Sequence, residues 1–591
     1  MSYQPTNPLI VQSDKSILLE VNNPRYEEAR DALARFAELE KSPEHIHTYR
    51  ITPLSLWNAA AAGYGVDQIL GALDRFGKFE LPGNVRTDIV DYVSRYGRVK
   101  LVSDEGTLRL VSDDRTLLVE IAHHKHLAPY VRRQDERGLV VDAARRGHLK
   151  QALVQFGYPA EDLAGYVEGA PFAIGWRAET LTEARPFALR DYQREAAAVF
   201  HAGGSAQGGS GVIVLPSGAG KTLVGLAAMA TLQCQTLILS PSIVAARQWI
   251  REIVERTTVP PEAVGEYSGE RKEIRPITVT TYQVLTYRRA GSEDFPHFAL
   301  FDQGDWGLII YDEVHLLPAP VFRITAEIQA RRRLGLTATL VREDRRETDV
   351  FALIGPKKCD VPWKDLEHQG WIATAECHEV RIRLPEARRL PYALAEEREK
   401  YRVAAESPAK LAVLDQLVAK HADDQVLIIG QYLDQLGEVA ERYDAPLITG
   451  KTPTREREKL YDAFRRGEVR LLVVSKVANF AIDLPDASVA IQISGTFGSR
   501  QEEAQRLGRI LRPKEDGILA HFYTLVTRDT RDQEFAANRQ KFLTEQGYGY
   551  EILYEDEIPG YRPRGRTGLR LLPPPTGEER WEPGDLNERG R

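Results

Sequence analysis

The sequence predicts an α/β protein in which two parallel-sheet domains follow an N-terminal α+β region. From residue 211 onward, short and wholly apolar runs alternate with helical segments, as in strands buried on both faces of a parallel sheet. These runs fall into two groups separated by about 85 residues, which predicts two sheets. Before residue 170, apolar stripes at helical spacing are mixed with short alternating runs. A chain of 591 residues has room for three to four domains at roughly 150 residues each.

The N-terminal region, 1–170, opens with an extended stretch, Pro8 to Val21, whose Ile17, Leu18, Leu19 and Val21 predict a buried strand. Ala29, Leu33, Phe36 and Leu39 then mark one face of a helix. Thr52–Pro53 starts another helix, an N-cap residue followed by proline at the first helical position. Two more carry Ile69, Leu70, Leu73, Phe76 and Ile89, Val90, Val93, Tyr96. Alternation at Val99–Val102, Thr107–Val111 and Thr116–Ile121 predicts small antiparallel strands. Three helices and then a hairpin suit a winged-helix-like module, or a small α+β accessory domain with no nucleic-acid role. Leu127–Tyr166 reads as helical, 171–187 as a connector, and Ala202–Gly211 as a flexible surface loop rich in Gly and Ser.

The predicted parallel strands are 211–215, 236–240, 277–281, 308–313 and 333–339, then 425–430, 471–475 and 489–494. They place one sheet domain at 185–365 and the other at 366–555, ahead of a tail at 556–591 that holds Pro573–Pro574–Pro575. Hydrophobic residues make up 43% and charged residues 28%, an ordinary globular balance. A net charge of −7 excludes a protein that coats nucleic acid, though not one with a local basic channel. No run of about eighteen apolar residues exists to cross a membrane, and the N-terminus has no secretory pattern. Cys234, Cys359 and Cys377 lie far apart, so no disulfide framework is expected and a reducing cytoplasm is.

Three segments carry chemistry. Leu-Pro-Ser-Gly-Ala-Gly-Lys-Thr at 215–222 sits between a strand and a helix, where backbone N–H groups and a helix N-terminus suit polyphosphate. Gly218 and Gly220 shape the turn, Lys221 would bridge the β- and γ-phosphates of ATP, and Thr222 would hold Mg²⁺. Leu215 stands where the full pattern has a glycine. Asp312-Glu313-Val314-His315 ends another apolar strand. Asp312 would hold Mg²⁺ and Glu313 would orient and deprotonate the attacking water. A phosphate loop and an Asp-Glu strand end, in this order within a parallel sheet, point to nucleotide hydrolysis. In the second sheet domain, Arg509 and Arg512 are three apart and can converge on one anion. Coming from the other domain, they are candidate arginine fingers.

Taken together, 216–222, 239–249, 312–315, 337–339, 475–485 and 505–512 resemble the motif series of superfamily 2 helicases, most closely the XPB type. That resemblance implies two RecA-like motor domains, ATP and Mg²⁺, and 3′→5′ opening of forked or damaged duplex DNA in repair. It gives Gln193 the reading of adenine with support from Arg190, and Gln505 a place at the nucleotide. It also gives Arg247 and Thr281 contacts to DNA, and Arg342, Glu343 and Asp344 the part of a strand-separating wedge. Ala481 departs from the Gly or Ser of related motors, and 384–405 lacks the strongly basic character expected of a thumb-like insertion. Arg331, Arg332 and Arg333 are read as phosphate contacts or solvated charges, Trp249 as core, and His123, His124 and His126 as histidines without the company a metal site needs. Two rival readings remain: an ATPase gating a partner such as a repair nuclease, and a duplex translocase that does not separate strands. An RNA helicase fits less well, given His315 and the Arg-Glu-Asp trio.

Overall fold

The computed structural model describes residues 3–42, 45–135, 138–182, 184–216, 218–289, 294–329, 331–338, 340, 346–361, 366, 375–475, 487–495, 520–545 and 550–563. The N-terminal region is α+β. Strands β1 (Leu9–Val11), β2 (Ser16–Glu20), β3 (Glu38–Lys41) and β4 (Ile46–Arg50) form an antiparallel sheet in the order β1-β2-β4-β3. Leu9, Ile17, Leu19, Leu39 and Tyr49 from this sheet meet Leu56, Ile69, Leu73 and Ile89 of the following helices in one core. The helix Pro53–Ala61 starts where sequence places it. Thr52 Oγ1 accepts from the Ser55 N–H at 3.0 Å, and Ser55 Oγ accepts from the Thr52 N–H at 3.0 Å, so two donors without helical partners are satisfied reciprocally.

Three expectations for this region are corrected. The first helix is Tyr26–Leu33; Leu39 belongs to β3, opposite Tyr49. Thr116–Ile121 lies in the helix Arg115–His123, which Asp114 caps by accepting from the Leu117 N–H. Leu117, Leu118 and Ile121 are its buried residues, so the apolar run is a helix face and the cap outweighs the apparent alternation. Among the described residues, Leu127–Tyr166 contains one α-helix, Arg146–Phe156, among strands. Strands β5 (Lys100–Asp104), β6 (Thr107–Val111), β7 (Val131–Asp135), β8 (Gly138–Val141) and β9 (Glu161–Asp162) form a second sheet, β7-β8-β6-β5-β9. The hairpin β5–β6 that follows the three helices is therefore part of a larger sheet, which makes the region an α+β unit.

Among the described residues two seven-stranded sheets follow, each with parallel pairings throughout. The first contains β10 (Ser210–Val214), β11 (Thr236–Ser240), β12 (Val264–Tyr267), β13 (Ile277–Thr281), β14 (Leu308–Asp312), β15 (Arg332–Thr337) and β16 (Lys357–Asp360), ordered β12-β13-β11-β14-β15-β10-β16. The second contains β17 (Ala375–Ile382), β18 (Val426–Gly430), β19 (Leu447–Ile448), β20 (Leu471–Ser475), β21 (Val489–Gln492), β22 (Ala520–Thr527) and β23 (Tyr550–Tyr554), ordered β19-β20-β18-β21-β22-β17-β23. Every residue of β10, β11, β13, β18 and β22 is buried. The first four fall in the runs that predicted parallel strands, because a strand covered on both faces has no polar side, whereas β22, which carries His521, Tyr523 and Thr524, was not among the predicted strands.

The order of the first sheet sets up a site. Strand β10 has β15 on one side and β16 on the other, and β15 in turn pairs with β14. Ligands of open α/β sheets lie outside the carboxyl ends of such strands, where the chain order reverses. Val214 pairs with Thr337, and Asp312 with Leu336. The loop after β10 and the acidic end of β14 are thereby brought to one edge with the end of β15 between them. The connector 171–187 hydrogen-bonds along the rim of this domain, Phe172 N–H to the Gln233 carbonyl and Arg177 N–H to that of Arg256.

Candidate active site

At the edge where β10, β15 and β14 end, Lys221 begins the helix Lys221–Leu232 with Gly220 as its left-handed N-cap. Gly218 and Gly220 have φ of +84° and +82°, a region that side chains with a Cβ rarely adopt. At Gly220 a Cβ would also come within 2.5 Å of Gln193 Nε2. Gln193 is buried beneath the loop. Its Nε2 donates to the Ala219 carbonyl at 3.0 Å, while its Oε1 accepts from the Arg190 N–H at 3.0 Å. Tyr192 OH donates to the same Ala219 carbonyl at 2.6 Å, and Arg190 Nη1 donates to Tyr192 OH at 3.2 Å. The segment 190–193 thus fixes the glycine turn at 218–220 from below. Thr222, the second residue of the helix, is half-buried.

Lys221 Nζ lies 3.3 Å from Glu313 Oε1, with both side chains largely buried. Glu313 itself has φ of +48°, an unusual conformation for a glutamate, at the turn that leads from β14 into Val314–Leu316. Asp312 is held by two neighbours: Trp249 Nε1–H donates to Oδ2 at 2.9 Å, and Tyr282 OH donates to the main-chain carbonyl at 2.7 Å. Burial, and then the adjacent Glu313 charge, push the Asp312 carboxyl up to about 6. Burial also acts to raise Glu313, but Lys221, His315 and the Ala338 N–H together outweigh it and hold that carboxyl below its ordinary value. The two acids therefore differ in proton affinity although they are adjacent in sequence. His315 Nδ1 sits 2.6 Å from Thr337 Oγ1 and 3.5 Å from Glu313 Oε2, tying the end of β14 to the end of β15.

Glu313 Oε2 is buried without a hydrogen-bond partner among the described residues, beside a lysine and a tight glycine turn. That donor set fits a polyphosphate with a hard divalent cation, and it leaves one carboxylate oxygen available to a water.

Other sequence-predicted residues sit elsewhere. Arg247, on the helix Ile243–Arg256, is paired with Glu266 at 3.1 Å and Glu270 at 2.7 Å. Thr281 is buried at the end of β13, where its Oγ1 caps Tyr282–Leu285 by accepting from the Val284 N–H. Arg342, Glu343, Asp344, Gln505, Arg509 and Arg512, with Ala481, lie outside the described residues. The reading of Arg331–Arg333 as phosphate contacts or solvated charges is corrected. Arg333 is fully buried, donating to the Leu353 and Gln329 carbonyls at 2.7 Å each, Arg331 pairs with Asp305, and Arg332 with Glu168. The 384–405 segment forms helices Glu386–Leu394 and Glu397–Ala405, where Arg389 pairs with Glu386 and Lys400 with Glu397. Trp249 is 1% exposed, as its core reading requires, but its N–H to Asp312 was not legible in advance. Its place in the LSPSIVAARQW segment was the only signal.

Comparison with known proteins places this geometry. Residues 366–561 match the ERCC3/RAD25/XPB C-terminal helicase family, 186–342 match the type III restriction enzyme res subunit family, and 9–136 match a helicase conserved C-terminal domain family. The chain is 58% identical over 555 residues to the DNA 3′-5′ helicase XPB of Mycobacterium tuberculosis, covering 94% of this chain and 99% of that protein. The chain belongs to the XPB helicase family. A second XPB, from Kineococcus radiotolerans, is 56% identical over 560 residues, covering 94% of this chain and 97% of the relative. The XPB/SSL2 subunit of the general transcription and DNA repair factor IIH of Saccharomyces cerevisiae is 32% identical over 608 residues, covering 92% of this chain and 72% of that protein. Among XPB relatives, then, similarity extends through the N-terminal α+β region as well as both parallel sheets.

Proposed function

We propose that the chain is an ATP-dependent DNA helicase of the XPB type, opening forked or damaged duplex DNA with 3′→5′ polarity in repair. The observation that carries the hydrolytic part is the meeting of Lys221 with Glu313 at 3.3 Å, across the ends of β10 and β14. Bound Mg²⁺ would neutralise charge on the β- and γ-phosphates, with Thr222 and Asp312 as the residues to hold it. Lys221 and the N–H groups around Gly218 and Gly220 orient the phosphates. Glu313, its carboxyl kept ionised beside Lys221, takes the proton of the attacking water through its open oxygen. Gln193 and Arg190 read the base in this proposal, which for the buried Gln193 means exchanging its bonds to the Ala219 carbonyl and the Arg190 N–H for the adenine edge. Gln505 joins the nucleotide, and Arg509 and Arg512 close on the phosphates, from the second domain.

We read 185–365 and 366–555 as the two motor domains, 1–170 as the DNA-recognition region and 556–591 as a tail. Arg247 and Thr281 contact the DNA backbone in this reading. For Arg247 that means exchanging its two carboxylate partners for a phosphate. Arg342, Glu343 and Asp344 form the wedge. Three unbridged cysteines accord with a cytoplasmic setting. The reading as a translocase that gates a nuclease is not favoured, because the relatives matched over 94% of the chain are named as DNA 3′-5′ helicases.

The test is ATP hydrolysis with and without forked DNA at two salt concentrations, followed by strand displacement. Hydrolysis should rise with DNA, weaken as salt rises, and vanish in Lys221→Ala. Glu313→Gln should bind ATP but lose at least about 100-fold in turnover. Alanines at 342–344 should spare hydrolysis and reduce strand separation. Turnover indifferent to DNA would overturn the motor reading; unimpaired displacement by the triple variant would overturn the wedge.

A further inference from the structure

The second sheet carries a cluster that nucleotide hydrolysis does not use. Glu376 and His378 are two apart on β17 and face the same side, and His521 on β22 pairs directly opposite Glu376. Among the described residues, this trio is the group whose histidine and carboxylate donor atoms converge, all within 4.8 Å of one another. Glu376 Oε2 is the hub, 3.8 Å from His378 Nε2 and 3.6 Å from His521 Nδ1. The histidine side chains are 4% and 6% exposed, and the glutamate 18%. Metal–ligand bonds of about 2.0–2.2 Å in a tetrahedral site put neighbouring donors roughly 3.3–3.6 Å apart. A contraction of a few tenths of an ångström would therefore bring the two glutamate–histidine pairs to coordination distance, and the histidine pair, within 4.8 Å, would close by up to about 1.5 Å through ring rotation.

The surroundings are those of a metal ligand. The other ring nitrogen of His378, Nδ1, faces Glu551 Oε2 on β23 at 3.4 Å, the residue paired with it in the sheet. The contact is not a hydrogen bond as it stands; closing by a few tenths of an ångström, the carboxylate would accept the Nδ1 proton, present Nε2 to a metal and raise its basicity. His421 stands close by, its ring 5.0 Å from that of His521. Its two nitrogens are committed to Asp424 at 2.8 Å and Tyr523 OH at 2.9 Å, so it buttresses the site. Tyr561 OH lies 3.0 Å from His378 Nε2 and must yield that nitrogen when a cation enters.

We propose that Glu376, His378 and His521 form a binding site for one borderline transition-metal ion, of which Zn²⁺ is the type, with a fourth position left to water. Two imidazoles and one carboxylate select such ions over Mg²⁺ and Ca²⁺. The ion would tie the start of β17 to the start of β22. Its part is structural, since all three residues sit in the amino-terminal halves of parallel strands while catalytic groups of such sheets gather at the carboxyl ends.

The test uses the full chain, stripped with chelator and titrated with Co²⁺ without nucleotide. Wild type should bind one Co²⁺ that survives excess Mg²⁺, give visible absorption of a four- or five-coordinate ion, and melt at a higher temperature when loaded. His521→Gln and Glu376→Gln should each lose that equivalent. Should either fail to fold, the exposed Glu551→Gln should fold and bind about 10- to 100-fold more weakly, while Tyr561→Phe should bind as tightly or more tightly. No visible band, displacement by Mg²⁺, equal binding by His521→Gln, or loss only on replacing His124 and His126 would each overturn the site. In the first case the cluster would be a proton-bridged carboxylate and histidines.

Discussion

Trp249 shows how one side chain serves both packing and chemistry. It is almost fully buried against the helix Lys221–Leu232, where a Cβ at Gly225 would clash with its ring, and its indole N–H reaches Asp312 Oδ2 at 2.9 Å. Trp249→Phe keeps most of the apolar volume and removes this donor. With Asp312 holding Mg²⁺ as proposed, loss of this orienting hydrogen bond costs roughly 10- to 100-fold in metal affinity or activity. We expect turnover at fixed Mg²⁺ to fall by that factor with only a modest change in melting temperature. Unchanged Mg²⁺ dependence would show that Tyr282 and the backbone suffice to position Asp312. Arg333 carries the opposite lesson. An arginine run suggested contact with phosphate, yet this member is spent on capping main-chain carbonyls inside the domain.

Among elements, the N-terminal sheet has a pH dependence that its sequence does not advertise. His47 on β4 is buried against Tyr26 OH, 3.0 Å from its Nδ1. Burial, and secondarily the Arg30 charge, lower its proton affinity to about 4. Below pH about 6.5 the unfolded chain takes up a proton here and the folded sheet does not, so stability present above 6.5 is lost as pH falls toward 4. The loss amounts to about 1–3 kcal/mol. In melting curves from pH 7.5 to 4.5, His47→Gln should show a shallower decline than wild type. Parallel slopes would mean that the histidine charges in place.

Across the whole molecule, the N-terminal region is anchored to the first parallel-sheet domain through buried polar contacts. Arg146 and Lys150, on the helix Arg146–Phe156, meet Asp162 at 2.6 and 3.0 Å, with all three side chains 6–7% exposed. Lys150 also donates to Gln329 at 3.0 Å, Gln151 to Asp349 at 2.8 Å, and the Lys357 N–H to Asn58 Oδ1 at 2.9 Å. Gly147 lies so close to the Ala326 backbone that a Cβ could not be accommodated. Burial alone would raise the Asp162 carboxyl, but Lys150 and Arg146 hold it well below the usual range. Asp162→Asn leaves two buried cations without their counter-charge, a loss of about 3–5 kcal/mol. We expect a lower melting temperature and faster protease cleavage in the 171–187 connector. An unchanged melting temperature would show that the apolar contacts of Trp57 and Tyr96 with Phe351 hold the regions together.

Sequence by itself determined whatever depends on neighbours along the chain. Unbroken apolar strands announced parallel sheets because a strand covered on both faces has no polar side to show. Thr52–Pro53 announced a helix start, and the glycine turn before the helix at Lys221 and the strand end at Asp312 were legible because each is a contiguous unit. Thr116–Ile121 was misassigned where a single cap, Asp114, decided between a helix face and an alternating strand, and Leu39 where pairing with Tyr49 on β4 drew it out of the helix pattern and into β3. Only the tertiary structure decided which distant groups meet. Strand order β14-β15-β10 put Glu313 beside Lys221, helix packing put Trp249 on Asp312, and the pairing of β17 with β22 brought His521 across from Glu376. Those meetings follow from sheet order and burial, which are set by the whole chain's competition for one core, and no local pattern encodes them.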